Sequence, residues 1–414
     1  MKILLICPDF PPVLNSASRL FAELGESLCE LGHEVTVLTR YGGRRKGSPK
    51  LRSKDLHGKV YVTRTRVLPV PNRIPLMRAL EHVWMAISFL FAGLLLPRHD
   101  AVIVYSPPLP LGLTGWILAR RWRGTLILNV QDLYPRTAID LGLLRNKHLI
   151  RFSETLERFL YRKADDVTVH SDGNREHIIR TGVPIEKAHT IPNWVDLQLY
   201  QPGPRDNNWR SLNGLDNRFV VSFAGTMGFA QGVNNIIEAA DLLKDRSEIV
   251  FVLAGDGVQH DTAQQASKTR KLPNLQFLPP QQGNAYLELL QASDICLVVL
   301  HKDLKTPVVP GKIQIIMASG RPVICVANPA SDARHIIEES QCGYFVTAGD
   351  IDDLVNSILR LYNDREVADK LGKNGRRYSE IHFDRNQCTG AYDTILASLN
   401  RNEDPIKEAK TKDG

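Results

Sequence analysis

The chain has 414 residues, 43% apolar and 23% charged, which is the composition of a soluble protein long enough for two globular domains. Its six cysteines include no C-x-x-C pair and its twelve histidines show no metal-ligand spacing, so a disulfide framework and a zinc site are not expected. The N-terminal apolar run ends at Pro8 and is too short for a signal peptide. We therefore expect a cytosolic protein with reduced, buried thiols.

Basic residues are concentrated in one segment. The net charge is +7, yet residues 40–80 hold twelve Lys or Arg and a single acid, Asp55. The apolar run 83–96 follows; its fourteen residues are too few to span a bilayer and suit a buried or interfacial helix. Basic side chains gain about 1 kcal/mol each near an anionic membrane, so the two features predict peripheral membrane attachment. The alternatives are a solvated basic face and a core helix; nucleic acid is not expected, because no nucleic-acid module is visible.

The first half of the chain alternates apolar strands with helices. The strand Ile3–Cys7 leads through a Pro-rich loop into a helix over Ser16–Leu31, whose C-terminal cap we assign to Gly32. Later apolar runs predict further strands at Val35–Thr39, Ala101–Tyr105, Thr125–Val130, Val167–His170 and Thr190–Pro192. Alternation of this kind predicts a parallel, doubly wound α/β sheet.

The alternation restarts after a polar, turn-rich stretch at residues 201–214. It predicts further strands at Phe219–Ala224, Ile249–Ala254, Leu275–Phe277, Ile295–Val299, Val323–Ala327 and Tyr344–Val346. We expect an N-terminal domain over residues 1–200 and a C-terminal domain over 201–400, with a ligand cleft between them. Residues 401–414 lack apolar periodicity and are predicted to be a disordered tail.

Three strands of the second half end in loops rich in glycine or proline. The first is followed by Gly225 and Gly228, where backbone can approach a pyrophosphate without a Cβ clash. The turn Gly255–Gly257 follows the second strand, and Leu278-Pro279 at the end of the third offers backbone to a nucleobase edge. Each signal is weak by itself, because the glycine spacing is not the dinucleotide fingerprint.

A fourth loop, Thr306–Gly311, leads into Lys312 and a short helical run that ends at Ser319. A loop entering a helix exposes unpaired N–H groups at the positive end of the helix dipole, and a lysine there suits a phosphate. Taken alone, the segment is more simply an ordinary connection with a surface lysine. Taken with the three other loops, it predicts an anion site.

In this order, the segments resemble those of GT-B-fold glycosyltransferases of family 4, which transfer a sugar from a nucleotide-sugar with retention of configuration. The chain looks most like the bacterial enzymes of colanic acid, O-antigen or capsule assembly. The resemblance runs from Lys2 to about Asn400 and includes Leu31–Thr39, Val130–Pro135, Ala164–Ser171, Thr190–Asp196, Ala224–Gly228, Ala254–Gly257 and Gly311–Val323. It implies an α/β fold of two doubly wound Rossmann-like domains facing across a cleft, with C-terminal helices returning to the N-terminal domain.

The resemblance implies that the donor nucleotide lies on the C-terminal domain. Backbone of Gly225–Gly228 and of Val309–Lys312 would face the diphosphate, with Lys312 as its charge partner and a catalytic residue. A charged hydrogen bond of this kind is worth about 1.5–3 kcal/mol. The implied donor-binding residues are Gly225, Thr226, Met227, Gly228, Gln231, Gly255, Asp256, Leu278, Pro279, Val309, Pro310, Gly311, Lys312 and Ile315.

In the N-terminal domain, the resemblance implies that the loop Pro11–Ser18 faces the acceptor and the transferred sugar. The implied acceptor-binding residues are Asn15, Ser16, Gln131 and Asp132. Asp132, at the end of a buried strand, is also implied as a catalytic residue that binds sugar hydroxyls. The alternative for Asp132 is an N-cap of the helix that follows.

The chain departs from the family pattern at three places. Many members carry two glutamates eight residues apart, the second of which binds the ribose, where this chain has Pro307 and Ile315. Many have Arg and Lys in the first C-domain loop, where this chain has Met227 and Gln231. The Gly-Gly pair usual in the N-terminal loop is Asn15-Ser16. The lysine of the fourth loop is therefore expected to carry more of the charge neutralisation.

The implied function is a metal-independent, retaining glycosyltransferase without a cofactor. It would move a sugar, an N-acetylamino sugar by expectation, from a UDP-linked donor to a polyprenyl-diphosphate-linked saccharide. Transfer would proceed by front-face displacement at the cytoplasmic face of the plasma membrane, where the protein is held peripherally. The alternatives are a non-catalytic GT-B scaffold subunit of a polysaccharide synthesis complex and a sugar-nucleotide epimerase, which requires acid/base carboxylates that the sequence does not clearly supply.

Overall fold

A computed structural model describes residues 1–13, 15–41, 52–55, 59–67 and 75–402. The chain forms two compact units. Unit 1 consists of Met1–Trp194 together with the chain from Arg385 onwards, and unit 2 is Val195–Asp384. The unit boundary therefore lies slightly before the predicted position of 200, and the last helix belongs to unit 1 rather than to the C-terminal domain. The predicted tail lies outside the described residues from 403 onwards.

Unit 1 is an eight-stranded sheet with helices. Its elements are β1 (Lys2–Ile6), α1 (Ser16–Glu30), β2 (Glu34–Arg40), β3 (Arg52–Asp55), β4 (Val60–Thr65), α2 (Pro75–Leu94), β5 (Ala101–Ser106), α3 (Leu111–Trp122), β6 (Thr125–Val130), α4 (Arg136–Asp140), α5 (Lys147–Lys163), β7 (Asp166–Val169), α6 (Asp172–Thr181) and β8 (Ala188–Thr190). The strand order is β3-β4-β2-β1-β5-β6-β7-β8, and only β3 runs antiparallel to its neighbour. The order reverses direction between β1 and β5, which places a topological switch point at the carboxyl ends of these strands.

Unit 2 is a six-stranded sheet in which all the paired strands are parallel. Its elements are α7 (Asn208–Leu212), β9 (Phe219–Ala224), α8 (Val233–Leu242), β10 (Ile249–Ala254), α9 (His260–Arg270), β11 (Leu275–Leu278), α10 (Asn284–Ala292), β12 (Ile295–Val299), α11 (Lys312–Ala318), β13 (Val323–Ala327), α12 (Ala333–Ser340), β14 (Gly343–Thr347), α13 (Ile351–Asn363) and α14 (Arg365–His382). The order β11-β10-β9-β12-β13-β14 puts the switch point between β9 and β12. The two sheets confirm the predicted pair of doubly wound Rossmann-like domains.

The central strands are continuous apolar runs because helices cover both faces of a parallel sheet. All residues of β6, β9 and β12 are buried. Helix α1 begins at its N-cap Asn15, whose Oδ1 accepts from the backbone N–H of Ser18 at 2.9 Å. It ends at Glu30 with Leu31 as its C-cap, and Gly32 follows in the left-handed conformation (φ 88°), which suits the predicted helix stop.

Strands β3 and β4 lie within the basic segment, where the sequence analysis predicted no strands. Part of that segment is structural: Arg64 is buried and donates to the Ser53 hydroxyl at 2.8 Å and to the Pro11 carbonyl at 2.9 Å. Lys59 pairs with Glu30 at 2.8 Å. Residues 42–51, 56–58 and 68–74, which carry several of the counted basic residues, lie outside the described residues.

The last helix, α15 (Arg385–Asn402), completes unit 1, as expected from the predicted return of the C-terminal end. Its Tyr392 is buried, and the hydroxyl accepts from Asn129 Nδ2 on β6 at 2.7 Å and lies 3.3 Å from Thr168 Oγ1 on β7. Asp393 contacts the His33 imidazole at 2.8 Å. The helix is therefore fixed to the sheet by a buried polar contact as well as by apolar packing.

We predict that Tyr392→Phe lowers the free energy of unfolding of unit 1 by about 1–3 kcal/mol, because the buried amide of Asn129 loses an acceptor. The measurements are urea denaturation, which gives the free energy of unfolding, and hydrogen exchange of the backbone amides in α15 and β6. Thr394→Val on the exposed side of the same helix is the control, and we expect a change within about 0.5 kcal/mol. Equal effects of the two substitutions would contradict this role of the hydroxyl.

Candidate functional site

In unit 2, the loops after β9, β10 and β12 lie at the carboxyl edge of the sheet. The loop after β9 is bonded to the loop after β10, since Gly225 N–H donates to Ala254 O and Met227 N–H donates to Asp256 O, each at 2.8 Å. A Cβ on Gly255 would lie 1.9 Å from Gly225 O, so only glycine allows this approach. The end of β12 is tied in by a bond from His301 N–H to Ala230 O at 2.8 Å. These bonds hold the three loops as one surface.

Lys312, the first residue of α11, crosses the start of the β9 loop. Its Nζ lies 3.7 Å from the centroid of the Phe223 ring, a cation–π distance. Gly225 has a φ of 135°, and a Cβ there would lie 2.6 Å from the Cε and 2.7 Å from the Nζ of Lys312. Glycine at this position therefore serves both the backbone conformation and the space for the lysine.

The Lys312 ammonium is enclosed by protein yet partly accessible to solvent. Within the described ranges it forms no ion pair with a carboxylate. Burial without a compensating negative charge lowers the pKa of Lys312 to about 7. Binding of an anion would strongly stabilise such an ammonium, because the anion supplies the negative charge that the surrounding protein lacks.

The structure changes the expected roles of two loop residues. The Met227 side chain is fully buried in the hydrophobic core of unit 2, so it does not face a ligand. The Gln231 side chain turns back, and its Oε1 accepts from Gly228 N–H at 3.0 Å. The N–H groups of Gly225, Met227 and Gly228, which the sequence analysis directed at a diphosphate, are therefore all engaged within the protein.

The remaining expected donor residues lie around the same edge. Thr226, Asp256 and Pro279 are exposed, Gly255 is buried, and Leu278, Pro310 and Gly311 are partly exposed. The Leu278 carbonyl accepts from Gly255 N–H at 3.0 Å and is already in use. Val309 and Ile315 are buried, so the position of the usual second glutamate holds an apolar side chain in the core.

The carboxyl edge of the unit 1 sheet carries a charged cluster that the sequence analysis missed. Asp9, just after β1, accepts from Arg40 Nε at 2.6 Å and from Asn15 Nδ2 at 2.8 Å. Arg40 also contacts Glu81 on α2 at 3.3 Å. Asp9, Arg40 and Glu81 line a hollow of about 350 Å³ together with Pro107. Both the amide oxygen and the amide nitrogen of Asn15 are thus hydrogen-bonded within the protein. Ser16 is exposed.

The expected pair Gln131 and Asp132 divides into a buried and an exposed residue. Gln131 is buried, donates to Asn129 Oδ1 at 3.1 Å and accepts from Asn193 Nδ2 at 2.8 Å. Asp132 is exposed, and within the described part of the chain its carboxylate makes no hydrogen bond or ion pair. It is not a helix cap, because α4 begins after Pro135 without a side-chain cap.

Two opposing effects act on the pKa of Asp132. The surrounding protein raises the pKa of this carboxyl, and the nearby His170 imidazole lowers it. The net result is a pKa above the usual value for an aspartate, with desolvation by the surrounding protein as the larger of the two effects. His170 itself is held in place by the Gln131 carbonyl at 2.9 Å and by Asn174 at 3.1 Å.

The residues that the sequence analysis missed have weak local signals. Phe223 belongs to an apolar strand, and only its position two residues before Gly225 hints at a role under the lysine. Asp9 follows the first strand, whereas Arg40 and Glu81 come from distant segments. Within the residues that the structure describes, no cluster of three or more His, Cys, Asp or Glu is arranged to hold a metal ion.

Two family models match the chain, one in each half. The model described as "Glycosyl transferase 4-like domain" matches residues 17–194, and the model described as "Glycosyl transferases group 1" matches residues 205–378. Among similar proteins, Escherichia coli K12 WcaI, named a colanic acid biosynthesis glycosyl transferase, is 27% identical over 82% of this chain and 86% of its own length. Pseudomonas aeruginosa WbjE, named a glycosyltransferase, is 27% identical over 66% of this chain and 68% of its own.

Solved structures share the fold. Sucrose-phosphate synthase from Thermosynechococcus elongatus superposes with a TM-score of 0.79 at 16% identity, over 97% of this chain and 99% of that one. Anabaena HepE, solved in complex with UDP and glucose, superposes with a TM-score of 0.71 at 18% identity, over 96% of this chain and 100% of that one. At these identities the similarity extends to the fold alone.

We predict that Lys312→Met stabilises the ligand-free protein by about 0.5–2 kcal/mol, the range of a typical stabilising substitution. The lysine titrates near 10.5 in the unfolded chain and at about 7 in the folded one, so between these values the unfolded state binds more protons. Wild-type stability therefore rises with pH in this window. The free energy of unfolding gained from Lys312→Met should therefore be largest below pH 7 and should decrease as the pH approaches 10.

Thermal or urea unfolding at pH 6 and pH 9.5 measures this difference. Lys370→Met, at an exposed position of α14, is the control and should leave stability unchanged at both pH values. A gain that does not depend on pH would contradict the enclosed, unpaired state of the Lys312 ammonium.

Proposed function

Because this chain belongs to the glycosyltransferases that combine a 4-like and a group 1 domain, we propose that unit 2 binds the diphosphate of a UDP-linked sugar for transfer. The observation that carries this proposal is the Lys312 ammonium, placed at the carboxyl edge of the sheet without a carboxylate partner in the described residues. Ligands of doubly wound sheets bind at this edge, beside the topological switch point. HepE, which shares the fold, binds UDP, and this similarity supports the choice of nucleotide.

Lys312 would act on the departing nucleoside diphosphate. In the free protein its low pKa leaves a large part of the side chain neutral near pH 7. A bound diphosphate raises that pKa and favours the protonated form, so the cation is best stabilised when negative charge develops on the leaving group. Neighbouring Phe223 and Gly225 fix its position, which spares reorganisation during transfer.

Gln231 would control access to one backbone amide. Its Oε1 occupies the Gly228 N–H in the free protein. A phosphate oxygen that takes this bond requires the Gln231 side chain to rotate away, and its Nε2 group then becomes a second donor for the ligand. The loop would thereby replace the Arg and Lys common in the family with neutral donors, which leaves Lys312 as the principal positive charge on the diphosphate.

The acceptor hydroxyl would attack the anomeric carbon on the face from which the diphosphate leaves. The bond between that carbon and the phosphate oxygen breaks, the new glycosidic bond forms on the same face, and a donor phosphate oxygen takes the proton. The configuration is therefore retained. Asp132, exposed and without a hydrogen bond in the described residues, would accept hydrogen bonds from sugar hydroxyls, and Ser16 lies exposed at the start of α1.

The proposed acceptor is a polyprenyl-diphosphate-linked saccharide of surface polysaccharide assembly, and an N-acetylamino sugar is the proposed group transferred. The name of WcaI, a colanic acid biosynthesis enzyme, supports the pathway class. Such an acceptor lies at the cytoplasmic face of the plasma membrane, so the protein needs a surface that meets lipid.

Helix α2 supplies that surface in unit 1. One face, which holds Met85 and Phe89, is buried in the core, whereas Trp84, Ile87 and Phe91 on another face are exposed. Phe91 is 66% exposed, and Leu95, just after the helix, is 75% exposed. In the part of the chain that the structure describes, no helix has an apolar stretch long enough to cross a bilayer. An apolar stripe of this kind suits insertion into the boundary of a membrane.

Basic residues lie at the same end of unit 1 as Phe91. Helices α2 and α3 both lead into parallel strands, so their C-terminal ends lie at the same, amino edge of the sheet. Exposed Arg98 follows α2, and exposed Arg120, Arg121 and Arg123 lie at the end of α3. Each gains about 1 kcal/mol near anionic lipid, which complements the apolar contact.

A second candidate function is a non-catalytic scaffold with the same fold. The observation that favours it is Ile315, a buried apolar side chain where many family members carry a ribose-binding glutamate. The scaffold would not depend on Lys312, so a single substitution separates the two functions.

We predict that Lys312→Ala lowers the rate of sugar transfer at least about a hundredfold, the scale for loss of a donor that stabilises developing negative charge. The measurement is transfer of radiolabel from UDP-N-acetylamino sugars to a polyprenyl-diphosphate saccharide extract. Lys370→Ala serves as the control and should transfer at the wild-type rate. Wild-type protein that binds UDP but transfers nothing from a panel of nucleotide-sugars would favour the scaffold.

We predict that the double substitution Phe91→Ser and Leu95→Ser abolishes sedimentation with vesicles of phosphatidylglycerol and phosphatidylethanolamine. The matched control is Leu212→Ser with Leu242→Ser, a pair with 75% and 60% exposure in unit 2. Binding should fall with salt, because the arginines act through screened charge. Wild-type protein that stays in the supernatant at low salt would contradict the membrane surface.

A further inference from the structure

Unit 2 has a second concave site at the other edge of its sheet. A cavity of about 940 Å³ is lined by residues before β9 and β12, by the segment Pro202–Arg210 and by α14. Asp294 precedes β12 and Arg218 precedes β9, whereas Lys312 follows the carboxyl end of β12. Because the strands are parallel, this cavity lies at the amino edge, away from the proposed nucleotide site.

The lining is strongly basic. Eight lining residues are Lys or Arg and four are Asp or Glu, which leaves a net charge of +4 around one cavity. Three guanidinium groups converge on the buried carboxylate of Asp294: Arg365 at 2.6 Å, Arg210 at 2.7 Å and Arg205 at 3.3 Å. The Asp294 Oδ2 also accepts from the backbone N–H of Val220 at 2.7 Å. Arg210 also pairs with Asp206 at 3.1 Å and Arg205 with Asp369, so the excess of positive charge comes from the lining as a whole rather than from these three arginines alone.

Two buried arginines retain unused donors. Arg210 is 5% exposed and Arg321 is 7% exposed, and the Nε of each is buried without a hydrogen-bond partner in the described residues. Burial and the nearby charge of Arg205 lower the pKa of Arg321 to about 10. Buried guanidinium charge is costly, and an anion in the adjoining cavity would lower that cost electrostatically.

Exposed basic side chains on α14 add positive charge at the outer wall of the cavity. Lys373 and Arg377 are exposed on successive turns of α14 and line the cavity. Neither forms an ion pair in the described residues. The cavity volume is within the range of small-molecule sites, and its buried floor is made of arginines, which bind phosphate oxygens bidentately.

We propose that this arginine cavity binds an oligophosphate, a ligand with two or more linked phosphates. The net charge of the lining suits a multivalent anion better than a single carboxylate. Each guanidinium group in the floor can bind two oxygens of one phosphate. Free pyrophosphate-containing molecules and the diphosphate headgroup of a polyprenyl lipid share this chemistry. The site does not depend on the proposed transfer reaction, because none of its residues belongs to the Lys312 surface.

The test is isothermal titration of inorganic pyrophosphate into full-length protein saturated with UDP, which occupies the other site. We expect one pyrophosphate per chain, with affinity that falls as salt rises. The double variant Lys373→Gln and Arg377→Gln should bind pyrophosphate at least about tenfold more weakly, since charged hydrogen bonds are lost. Its UDP affinity should equal that of wild type.

Lys370→Gln, on the same helix but outside the cavity lining, is the matched control and should bind pyrophosphate as wild type does. No pyrophosphate binding to the UDP-saturated protein, or equal binding by wild type and the double variant, would overturn the proposal. If UDP itself does not bind, the proposed function fails. Pyrophosphate titration of the double variant and of Lys370→Gln without UDP still tests the arginine cavity.

A competition separates the two sources of the phosphates. Phosphatidylcholine vesicles that contain a polyprenyl diphosphate are sedimented with the protein, with and without soluble tripolyphosphate. If tripolyphosphate releases the wild-type protein from these vesicles but has no such effect on the double variant, the site binds the lipid headgroup. Binding of soluble pyrophosphate without vesicle binding assigns it to a free oligophosphate. Failure of both ligands contradicts the site.

Discussion

The proposed donor surface of unit 2 depends on one unfavourable placement, a lysine ammonium enclosed without a negative partner in the described residues. The Lys312 Nζ rests on the Phe223 ring at 3.7 Å and fills the space that a side chain at Gly225 would occupy. Desolvation that lowers its pKa to about 7 is a cost to the free protein. In the proposed function a bound diphosphate would recover that cost, so the same interaction would explain both the proposed affinity and the expected trade-off between stability and activity.

Parallel sheets separate chemistry by strand polarity. At the carboxyl edge of unit 2, glycine loops and Lys312 form a surface on which the Gly228 N–H is occupied by the Gln231 side chain. At the amino edge, several arginines share Asp294. The two proposed anion sites therefore differ in chemistry, because the first would use a desolvated point charge and the second planar guanidinium groups.

Unit 1 combines a rigid polar interior with an open edge. Buried Gln131, Asn129 and Tyr392 form one hydrogen-bonded network that joins β6 to the last helix. Asp132, one residue beyond Gln131, is exposed at the edge of that network. This arrangement would suit the proposed sugar-binding role of Asp132, since the geometry of a site is set by the residues that support it.

Local pattern was sufficient for the central strands, because a strand buried on both faces of a parallel sheet is a continuous apolar run. Strands β9 and β10 were predicted to the residue. The order of the loops likewise indicated the family and singled out Lys312. Pattern missed β3 and β4, which lie within the basic segment. Only the tertiary structure decided that Met227 packs in the core, that Gln231 caps Gly228, and that arginines distant in sequence meet at one carboxylate. The physical reason is that side-chain direction and charge pairing are set by contacts between remote segments, on which no local sequence pattern reports.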